Sequence, residues 1–362
     1  MAPGGAAGLG FLGWGLLIFR LGQQSEVASL AEDLLSIEGL VTAFPGPQGE
    51  LRAVDDLWLS VGRGEVLGLV GESGCGKSLT ALSVLGLVPP PGRVTAGRMM
   101  FKGRDLRRAG EEELRRVRGA EISMVFQEPM TSLNPVFTVG RQIAELVLAH
   151  RQVGRREAWE LAVEMLGKVG IPDPARRAEA YPHQLSGGMR QRVMIAMALT
   201  LEPELVIADE PTTALDVTIQ DQILRLMGRL RDQSGAAFLL ITHNLAVVAQ
   251  MADRVAVMYT GRLVERSAVL ELFDHPLHPY TSGLLSCLPS RAPELGVRLP
   301  TIPGVVPPLG ELPPGCVFSD RCPRVMERCR REEPELVEVS PGHWVRCFLH
   351  HQKARGVERR VA

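Results

Sequence analysis

The sequence has almost no net charge. Among its 362 residues, 40 are Lys or Arg and 41 are Asp or Glu, so the formal charge at pH 7 is −1. This balance provides no basic field that would attract nucleic acid, and we expect no nucleic-acid partner. Aromatic residues are also scarce, at 5%, whereas 45% of the residues are hydrophobic and 22% are charged, which is typical of a globular α/β protein. The length suits one large domain with an appendage.

A hydrophobic run long enough to cross a membrane is missing as well. The apolar stretch from Gly8 to Phe19 has about half the length of a membrane-spanning helix, and its glycines weaken it as a helix. It lacks the basic residues that begin a secretory signal peptide. We therefore expect residues 1–34 to be a poorly ordered N-terminal extension, or the product of a start codon placed too early. An amphipathic anchor at a membrane surface is the alternative, although the stretch has no cationic face.

A phosphate-binding loop is specified by Gly71 to Ser78. The sequence Gly-Glu-Ser-Gly-Cys-Gly-Lys-Ser fits the pattern G-x-x-x-x-G-K-[ST]. Glycines let backbone N–H groups turn towards a polyphosphate, and the helix that follows directs its positive end at the same oxygens. Lys77 would neutralise charge on the β- and γ-phosphates, and Ser78 would bind Mg²⁺. The flanks fit this interpretation, because a buried strand is predicted over 65–70 and a helix over 78–88, where prolines end it.

Further strands and helices surround the loop. Residues 35–60 alternate apolar and polar side chains around a Gly/Pro turn, which predicts two antiparallel strands, and another strand is predicted over 93–102. A buried strand over 122–126 ends at Gln127, a polar residue that would face the nucleotide. The helical periodicity that follows predicts an inserted helical subdomain over about residues 136–182.

A second anion-binding helix start is predicted at Leu185-Ser-Gly-Gly-Met-Arg-Gln-Arg192. Ser and Gly residues at the start of a helix leave backbone N–H groups free for an anion. Because the chain already has a complete phosphate loop, this helix start would contact the phosphate of another molecule. The pattern therefore predicts a dimer.

Two acids and a histidine follow two more buried strands. Asp209 and Glu210 come directly after the apolar run Leu205 to Ala208, and His243 follows a predicted strand over 236–242. At a strand end beside a phosphate loop, Asp209 would hold Mg²⁺ and Glu210 would poise the attacking water. His243 would bridge the γ-phosphate and this base.

Over about residues 35–285, these motifs together resemble an ABC transporter ATPase subunit. In that family's terms they are Walker A (Gly71–Ser78), the Q-loop (Gln127), the signature (Leu185–Met189), Walker B (Leu205–Asp209) followed by Glu210, the D-loop (Ala214–Asp216) and the switch histidine (His243).

The resemblance implies ATP and Mg²⁺ as cofactors. The catalytic residues that it implies are Lys77, Gln127, Glu210 and His243, and the implied magnesium-binding residues are Ser78, Gln127 and Asp209. The implied nucleotide-binding residues are Phe44, Gly71, Glu72, Ser73, Gly74, Cys75, Gly76, Lys77, Ser78, Gln127, Ser186, Gly187, Gly188, Asp209, Asp216 and His243. The implied fold is α/β, a P-loop NTPase core of ABC type with antiparallel β and helical subdomains and a small Cys-rich C-terminal extension.

Three stretches narrow the resemblance to the ATPases of dipeptide, oligopeptide and nickel importers: Gln127–Pro135, Gly188–Met197 and His275–Tyr280. The implied function is to power the import of peptides, or of a related solute such as nickel, from the cytoplasmic face of the cell membrane as a peripheral protein. The implied partners are a second, related ATPase chain that completes a heterodimer, two transmembrane permease subunits and an extracytoplasmic solute-binding protein. A soluble ABC ATPase that is not coupled to transport is the alternative, although such proteins usually carry two cassettes or a long coiled coil.

Six cysteines are unevenly distributed, with Cys75 in the phosphate loop and Cys287 alone. The other four crowd the last fifth of the chain: Cys316, Cys322, Cys329 and Cys347. An ATP-using protein lies in a reducing compartment, where clustered thiols suggest a metal before disulfides. Their spacing, C-x5-C-x6-C-x17-C, matches neither the paired knuckles of zinc sites nor the ferredoxin run, so zinc, an iron–sulfur cluster and unligated thiols stay open on chemistry alone.

The resemblance favours one of these alternatives. Residues 286–352 resemble the C-terminal region of peptide-importer ATPases, which implies a C-terminal domain whose four cysteines hold a [4Fe–4S] cluster, with Zn²⁺ as the alternative. Residues 353–362 would form a tail.

Overall fold

The computed structural model describes residues 33–47, 49–213, 216–288 and 300–351. Contacts divide the chain into Met1–Glu32 and Asp33–Ala362, and all described residues belong to the second unit. The apolar stretch from Gly8 to Phe19 and the predicted tail at 353–362 lie outside the described residues. Leu34 is buried and its N–H donates to the carbonyl of Val61, so the folded chain already includes the end of the predicted extension.

Twelve strands are present in the described residues: β1 (Leu35–Gly46), β2 (Gly49–Val61), β3 (Val66–Val70), β4 (Arg93–Phe101), β5 (Arg104–Asp105), β6 (Ile122–Val125), β7 (Leu205–Asp209), β8 (Ala237–Thr242), β9 (Arg254–Tyr259), β10 (Arg262–Ala268), β11 (Val337–Ser340) and β12 (His343–Val345). The α-helices are α1 (Lys77–Val84), α2 (Glu111–Val117), α3 (Pro129–Ser132), α4 (Val139–His150), α5 (Arg155–Lys168), α6 (Pro174–Ala178), α7 (Gly187–Leu199), α8 (Val217–Ser234), α9 (Leu245–Met251), α10 (Val269–Asp274) and α11 (Pro279–Ser286).

Two sheets organise the fold. The smaller has the order β2-β1-β4-β5 and contains the predicted antiparallel hairpin of β1 and β2. The larger has the order β11-β12-β10-β9-β3-β8-β7-β6, in which the strands from β9 to β6 are parallel and the strands from β9 to β11 are antiparallel. The core strands β3, β7 and β8 are buried along their whole length, as continuous apolar runs predict.

Side-chain alternation divides the core between the two faces of the larger sheet. On one face, Leu67 and Leu69 pack with the smaller sheet and with α1. On the other, Val206 and Phe238 pack with α7, α8 and the helical subdomain. Because successive strand residues point to opposite faces, one sheet supports both layers.

The first helix is shorter than the sequence pattern predicts. It ends at Val84 rather than Val88, because Gly86 adopts φ 63° and stops it before the prolines are reached. The N–H of Gly86 bonds to the carbonyl of Ser83 and the N–H of Leu87 bonds to that of Leu82, which is the Schellman arrangement of a helix C-terminus.

The C-terminal region joins the main sheet through β12, which pairs with β10. Glu265 of β10 is fully buried and accepts hydrogen bonds from the N–H groups of Leu277 and His278 and from His343 Nε2, at 2.7–2.8 Å. Burial lowers the pKa of His278 to about 4, so this imidazole is neutral. These contacts fix segments of the chain that precede and follow residues 289–299 to one buried carboxylate.

None of the helices in the described part of the chain is long and apolar enough to span a membrane.

Candidate nucleotide site

The predicted site residues follow neighbouring parallel strands. The phosphate loop follows β3, and His243 follows β8. Asp209 ends β7, Glu210 comes directly after it, and Gln127 follows β6. These strands lie side by side in the order β3-β8-β7-β6. The carboxyl ends of parallel strands lie at one edge of a sheet, where loops can form a common site. The topology therefore brings these four motifs to the same edge.

The phosphate loop is closely packed against the backbone beneath it. A Cβ added at Gly71 would lie 2.3 Å from the carbonyl oxygen of Met258, and one added at Gly76, whose φ is 100°, would lie 2.5 Å from that of Ala53. Any other residue would clash with backbone at each of these two positions, so both require glycine. The loop leads into α1, whose first residue is Lys77 and whose N-terminus has no side-chain cap.

Lys77 is buried and points back into the loop. Its Nζ donates to the carbonyl oxygens of Gly71 and Glu72 at 2.8 and 3.0 Å. A buried ammonium surrounded by loop carbonyls is placed to meet a phosphate that enters the loop.

Asp209 has the properties expected of a magnesium-binding residue. It is buried, and within the described residues its Oδ1 has no hydrogen-bond partner. Burial raises its pKa, and the neighbouring charge of Glu210 acts in the same direction, although a hydrogen bond with Ser78 opposes the rise. A buried carboxylate oxygen without a partner, next to a serine hydroxyl, fits a hard cation such as Mg²⁺.

Glu210 is held by three side chains from three different segments. His243 Nδ1 lies 3.0 Å from its Oε1, while Gln127 Nε2 and Thr213 Oγ1 donate to its Oε2 at 3.1 and 2.8 Å. Burial would raise the pKa of this carboxyl, but the hydrogen bonds with His243 and Thr213 outweigh it and lower the pKa below the ordinary value. The group is therefore an oriented carboxylate near neutral pH, as a general base must be.

The predicted position of Gln127 at a strand end is found, but its observed contact is with Glu210 rather than with a ligand. A cavity of 250 Å³ beside it is lined in part by Phe126, Gln127 and Asp209. Thr213 is the residue at this carboxylate that the sequence did not single out. Its place three residues after Glu210 could have suggested the contact.

The signature and D-loop residues are not brought to the phosphate loop by the hydrogen bonds of the described residues. Ser186 is exposed and caps α7, where its Oγ accepts from the N–H of Met189 at 3.3 Å, and Gly187 and Gly188 begin that helix. Asp216 is also exposed and caps α8 by accepting from Ile219 N–H at 2.9 Å. The preceding D-loop residues 214 and 215 lie outside the described residues.

Phe44, the predicted adenine-stacking residue, is half-buried near the end of β1. Its ring lies against Gly92, because a Cβ built on that glycine would come within 2.5 Å of the ring. The stacking of Phe44 on adenine stays a prediction.

Sequence reasoning missed two contacts that reach the phosphate loop from residues that follow β10. Arg321 forms an ion pair with the Glu72 carboxylate, and the Tyr280 hydroxyl accepts from the Glu72 N–H at 2.9 Å. The sequence separations, 249 and 208 residues, leave no local signal for either contact.

The four C-terminal cysteines line one small cavity together with Phe318 and Phe348: Cys316, Cys322, Cys329 and Cys347. Burial raises the pKa of Cys316 to about 11 and that of Cys347 to about 12, and the neighbouring thiols contribute in the same direction. Cys287 is not among the residues that line this cavity.

This arrangement is not by itself a metal site. Among the described residues, no group of three or more His, Cys, Asp or Glu side chains is placed so that it could hold a metal ion. The donor set, four thiols at one cavity, nevertheless has the chemistry of a Cys₄ site. The cluster and the zinc ion both stay predictions.

Comparison with known proteins identifies two regions. Residues 54–213 match the family model described as ABC transporter, and residues 264–329 match the model described as oligopeptide/dipeptide transporter, C-terminal region.

Relatives match across most of the chain. A probable peptide ABC transporter ATP-binding protein of Sinorhizobium fredii is 54% identical over 89% of this chain and 96% of its own length. The dipeptide transport ATP-binding protein DppD of Bacillus subtilis is 49% identical over the same shares of the two chains, and that of Escherichia coli is 49% identical over 87% of this chain and 96% of its own.

Solved structures also match a large part of the chain. The ATP-binding cassette MJ0796, a dimer bound to ADP and phosphate, gives a TM-score of 0.58 at 26% identity and covers 65% of this chain and 98% of its own. The cbiO1 protein of Clostridium perfringens, part of an ABC transporter complex, gives 0.58 at 25% identity and covers 67% of this chain and 91% of its own. The predicted P-loop core with mixed α/β sheets is thereby confirmed.

The hydrogen bond from Thr213 predicts a pH effect. In Thr213→Val the Glu210 carboxylate loses a donor that lowers its pKa, so its pKa should rise and the carboxylate should become protonated at a higher pH. We expect the acid limb of kcat for MgATP hydrolysis, the reaction that the motifs imply, to move to higher pH, with activity largely recovered above it. Rates measured from about pH 5 to pH 9 test this. Thr95→Val, a substitution in β4, is the control and should leave the acid limb unchanged; an unmoved limb in Thr213→Val would contradict the prediction.

Proposed function

Since the chain belongs to the family of ABC transporter ATP-binding proteins, and its relatives are ATPases of peptide importers, we propose that it hydrolyses MgATP to drive the import of peptides. The observation that carries this proposal is the convergence on Glu210 of Gln127, Thr213 and His243 at the sheet edge that also carries the phosphate loop. A phosphate loop alone would bind a nucleotide. An oriented base beside it can also activate water.

Each residue of the site has a distinct part in this proposal. The loop N–H groups and Lys77 bind the β- and γ-phosphates and offset the charge that develops during transfer. Ser78 and Asp209 would hold Mg²⁺, which neutralises phosphate oxygens when it is bound. Glu210 accepts a proton from the attacking water at the carboxylate that Gln127, Thr213 and His243 orient.

The exposed start of α7 supports a dimer. Ser186, Gly187 and Gly188 form an uncharged helix start whose backbone dipole favours an anion, and no hydrogen bond among the described residues joins them to the loop of their own chain. In the proposal, they contact the γ-phosphate of ATP held by a second ATPase chain, and Asp216 lies at the same interface.

Glu210→Gln tests the catalytic assignment. The amide keeps the size of the side chain and one acceptor oxygen, but it cannot accept a proton from water. We expect MgATP binding to be retained and turnover to fall by about 10²–10⁴-fold, the usual contribution of a general base. Binding by titration calorimetry, hydrolysis by phosphate release and dimer formation by size-exclusion chromatography with MgATP measure the three properties.

Glu160→Gln, an exposed acid on α5, is the matched control and should hydrolyse ATP as the parent protein does. Near-normal steady-state hydrolysis by Glu210→Gln would remove Glu210 as the base.

The partners follow from the importer assignment. We propose two transmembrane permease subunits, an extracytoplasmic solute-binding protein and a second, different ATPase chain, with this chain a peripheral protein at the cytoplasmic face of the membrane. Peptide is the solute that the names of the relatives support, and nickel is the alternative solute. The specificity of the solute-binding protein would distinguish the two.

Purification of the native complex through an affinity tag on this chain tests the assembly. We expect a second ATPase of different mass and two membrane proteins in equal amounts, as mass spectrometry of the intact complex would measure. Recovery of this chain present twice, as the sole ATPase, would contradict the heterodimer, and its recovery without membrane proteins would favour a soluble ABC ATPase.

For the C-terminal cysteines we propose a structural [4Fe–4S] cluster. Support comes from the four thiols at one cavity and from the match of residues 264–329 to the C-terminal region of peptide transporters. Each thiolate of such a cluster binds a different iron, so the thiols need not approach one another as closely as around a single ion. The cluster would hold a region that has short strands and little helix against the ATPase core.

Anaerobic purification tests the cluster. We expect brown protein with about four irons per chain and with broad absorbance at about 400 nm that dithionite bleaches. Cys329→Ser should lose iron and colour, because Cys329 lines the cavity, whereas Cys287→Ser, outside it, should keep both. Colourless protein with one zinc per chain would decide for zinc, and metal-free protein for unligated thiols.

A further inference from the structure

Glu72 of the phosphate loop is held at three points. Its carboxylate accepts from both terminal nitrogens of Arg321, at 2.7 Å and 3.0 Å. Its N–H donates to the Tyr280 hydroxyl at 2.9 Å, and its carbonyl accepts from Lys77 Nζ at 3.0 Å. One of these contacts comes from Arg321 in the C-terminal region, one from Tyr280 in α11, and one from the lysine that meets the phosphates.

Arg321 is fixed in one orientation. Its side chain is only 5% exposed, its Nε donates to the carbonyl of Pro303 at 2.9 Å, and its Nη1 lies 3.4 Å from the Tyr259 hydroxyl. A planar guanidinium that is held on both edges presents a rigid fork to a carboxylate. The ion pair therefore fixes the position of the Glu72 side chain and with it the start of the loop.

The segment that carries Arg321 lies between two cysteines. Arg321 ends a short 3₁₀ helix over Ser319–Arg321, which is preceded by Cys316 and followed by Cys322. Phe318 of the same segment packs against the rings of Tyr259 and Tyr280, with centroids 5.3 and 5.4 Å apart. One segment of the C-terminal region thus contacts the phosphate loop directly through Arg321 and supports Tyr280, the second contact.

The charge of Arg321 also matters for a polyphosphate. Glu72 places a carboxylate within the loop that must accept the phosphates, and a carboxylate without a cation would repel them. Arg321 is the cation that pairs with it in the described structure. Glu72 cannot be moved far away, because its own backbone is part of the loop.

We propose that Arg321 is a positioning residue for ATP binding, which neutralises Glu72 and fixes the phosphate loop, so that the cysteine-bearing C-terminal region sets the affinity for MgATP. The inference rests on the proposed binding of MgATP at Gly71–Ser78. Arg321 acts through Glu72 and is not itself a catalytic residue.

A double-mutant cycle on the full-length protein tests the proposal, with MgATP as the probe and Kd measured by calorimetry. Arg321→Gln should raise Kd about tenfold, the scale of one lost charge-assisted hydrogen bond, and part of the loss should be relieved at higher salt because salt screens the repulsion. Glu72→Gln should raise Kd less than Arg321→Gln does, because it removes the ion pair without leaving an unpaired carboxylate in the loop. Glu72→Gln combined with Arg321→Gln should bind more tightly than Arg321→Gln alone, because the unpaired carboxylate is gone.

Arg346→Gln is the matched control. Arg346 is also buried and next to a cysteine, and it donates to the Leu263 carbonyl and pairs with Asp56 and Glu333. It contacts none of the phosphate-loop residues through these groups. We expect Arg346→Gln and Arg321→Gln both to lower Tm, with only Arg321→Gln weakening ATP binding.

The outcomes separate the inference from the proposed function. Parent protein that binds MgATP, with unchanged Kd in Arg321→Gln, would overturn the inference and leave the function standing. The same follows if the double variant binds as weakly as Arg321→Gln, or if Arg346→Gln weakens binding equally, because the loss would then reflect stability alone. Parent protein that binds no MgATP would overturn both.

Discussion

The parallel alignment of β3, β8 and β7 is the constraint on which the site depends. These strands pair along their length with Val70 opposite Thr242 and Asp209 opposite Ile241, so they end at the same level of the sheet. The residues that follow them are consequently neighbours, although they are far apart in sequence. A shift in the pairing of β7 would separate Glu210 from His243 even with every motif intact. The chemistry of the site is thus a property of sheet register as well as of residue type.

The sequence predicts local features of the protein well. The phosphate loop and the acids after β7 depend on consecutive residues, and buried parallel strands produce continuous apolar runs that are easily recognised. The error at the end of α1 has a simple cause, since the prolines were the stronger stop signal but Gly86 comes first along the chain. The short strands β11 and β12 were not predicted, because four and three residues are too few to display periodicity.

Contacts between distant segments could not be predicted in this way. The sequence placed Gln127 and Glu210 at strand ends, yet nothing local indicates that the amide of one donates to the carboxylate of the other. The same holds for Arg321 and Glu72, which come from the C-terminal region and from the start of the cassette. For Ser186, the sequence predicts a contact that the hydrogen bonds among the described residues of the single chain do not include. Its motif predicts a phosphate contact, but the observed contact of its hydroxyl is the cap of α7, and the contact with the phosphate held by a second chain stays a prediction.

The charges at this edge of the sheet explain why the site needs cations beyond its lysine. Three carboxylates, those of Glu72, Asp209 and Glu210, lie on the loops that would surround a polyphosphate, and Lys77 alone cannot balance them. Arg321 pairs with the carboxylate of Glu72. Burial raises the pKa of Asp209 and so opposes its negative charge, which a bound Mg²⁺ would stabilise. Glu210 must stay ionised to accept a proton, and hydrogen bonds with His243 and Thr213, assisted by the charge of Lys77, keep its pKa low. Each carboxylate is therefore stabilised by a different means, and only that of Asp209 depends on a group that arrives with the nucleotide.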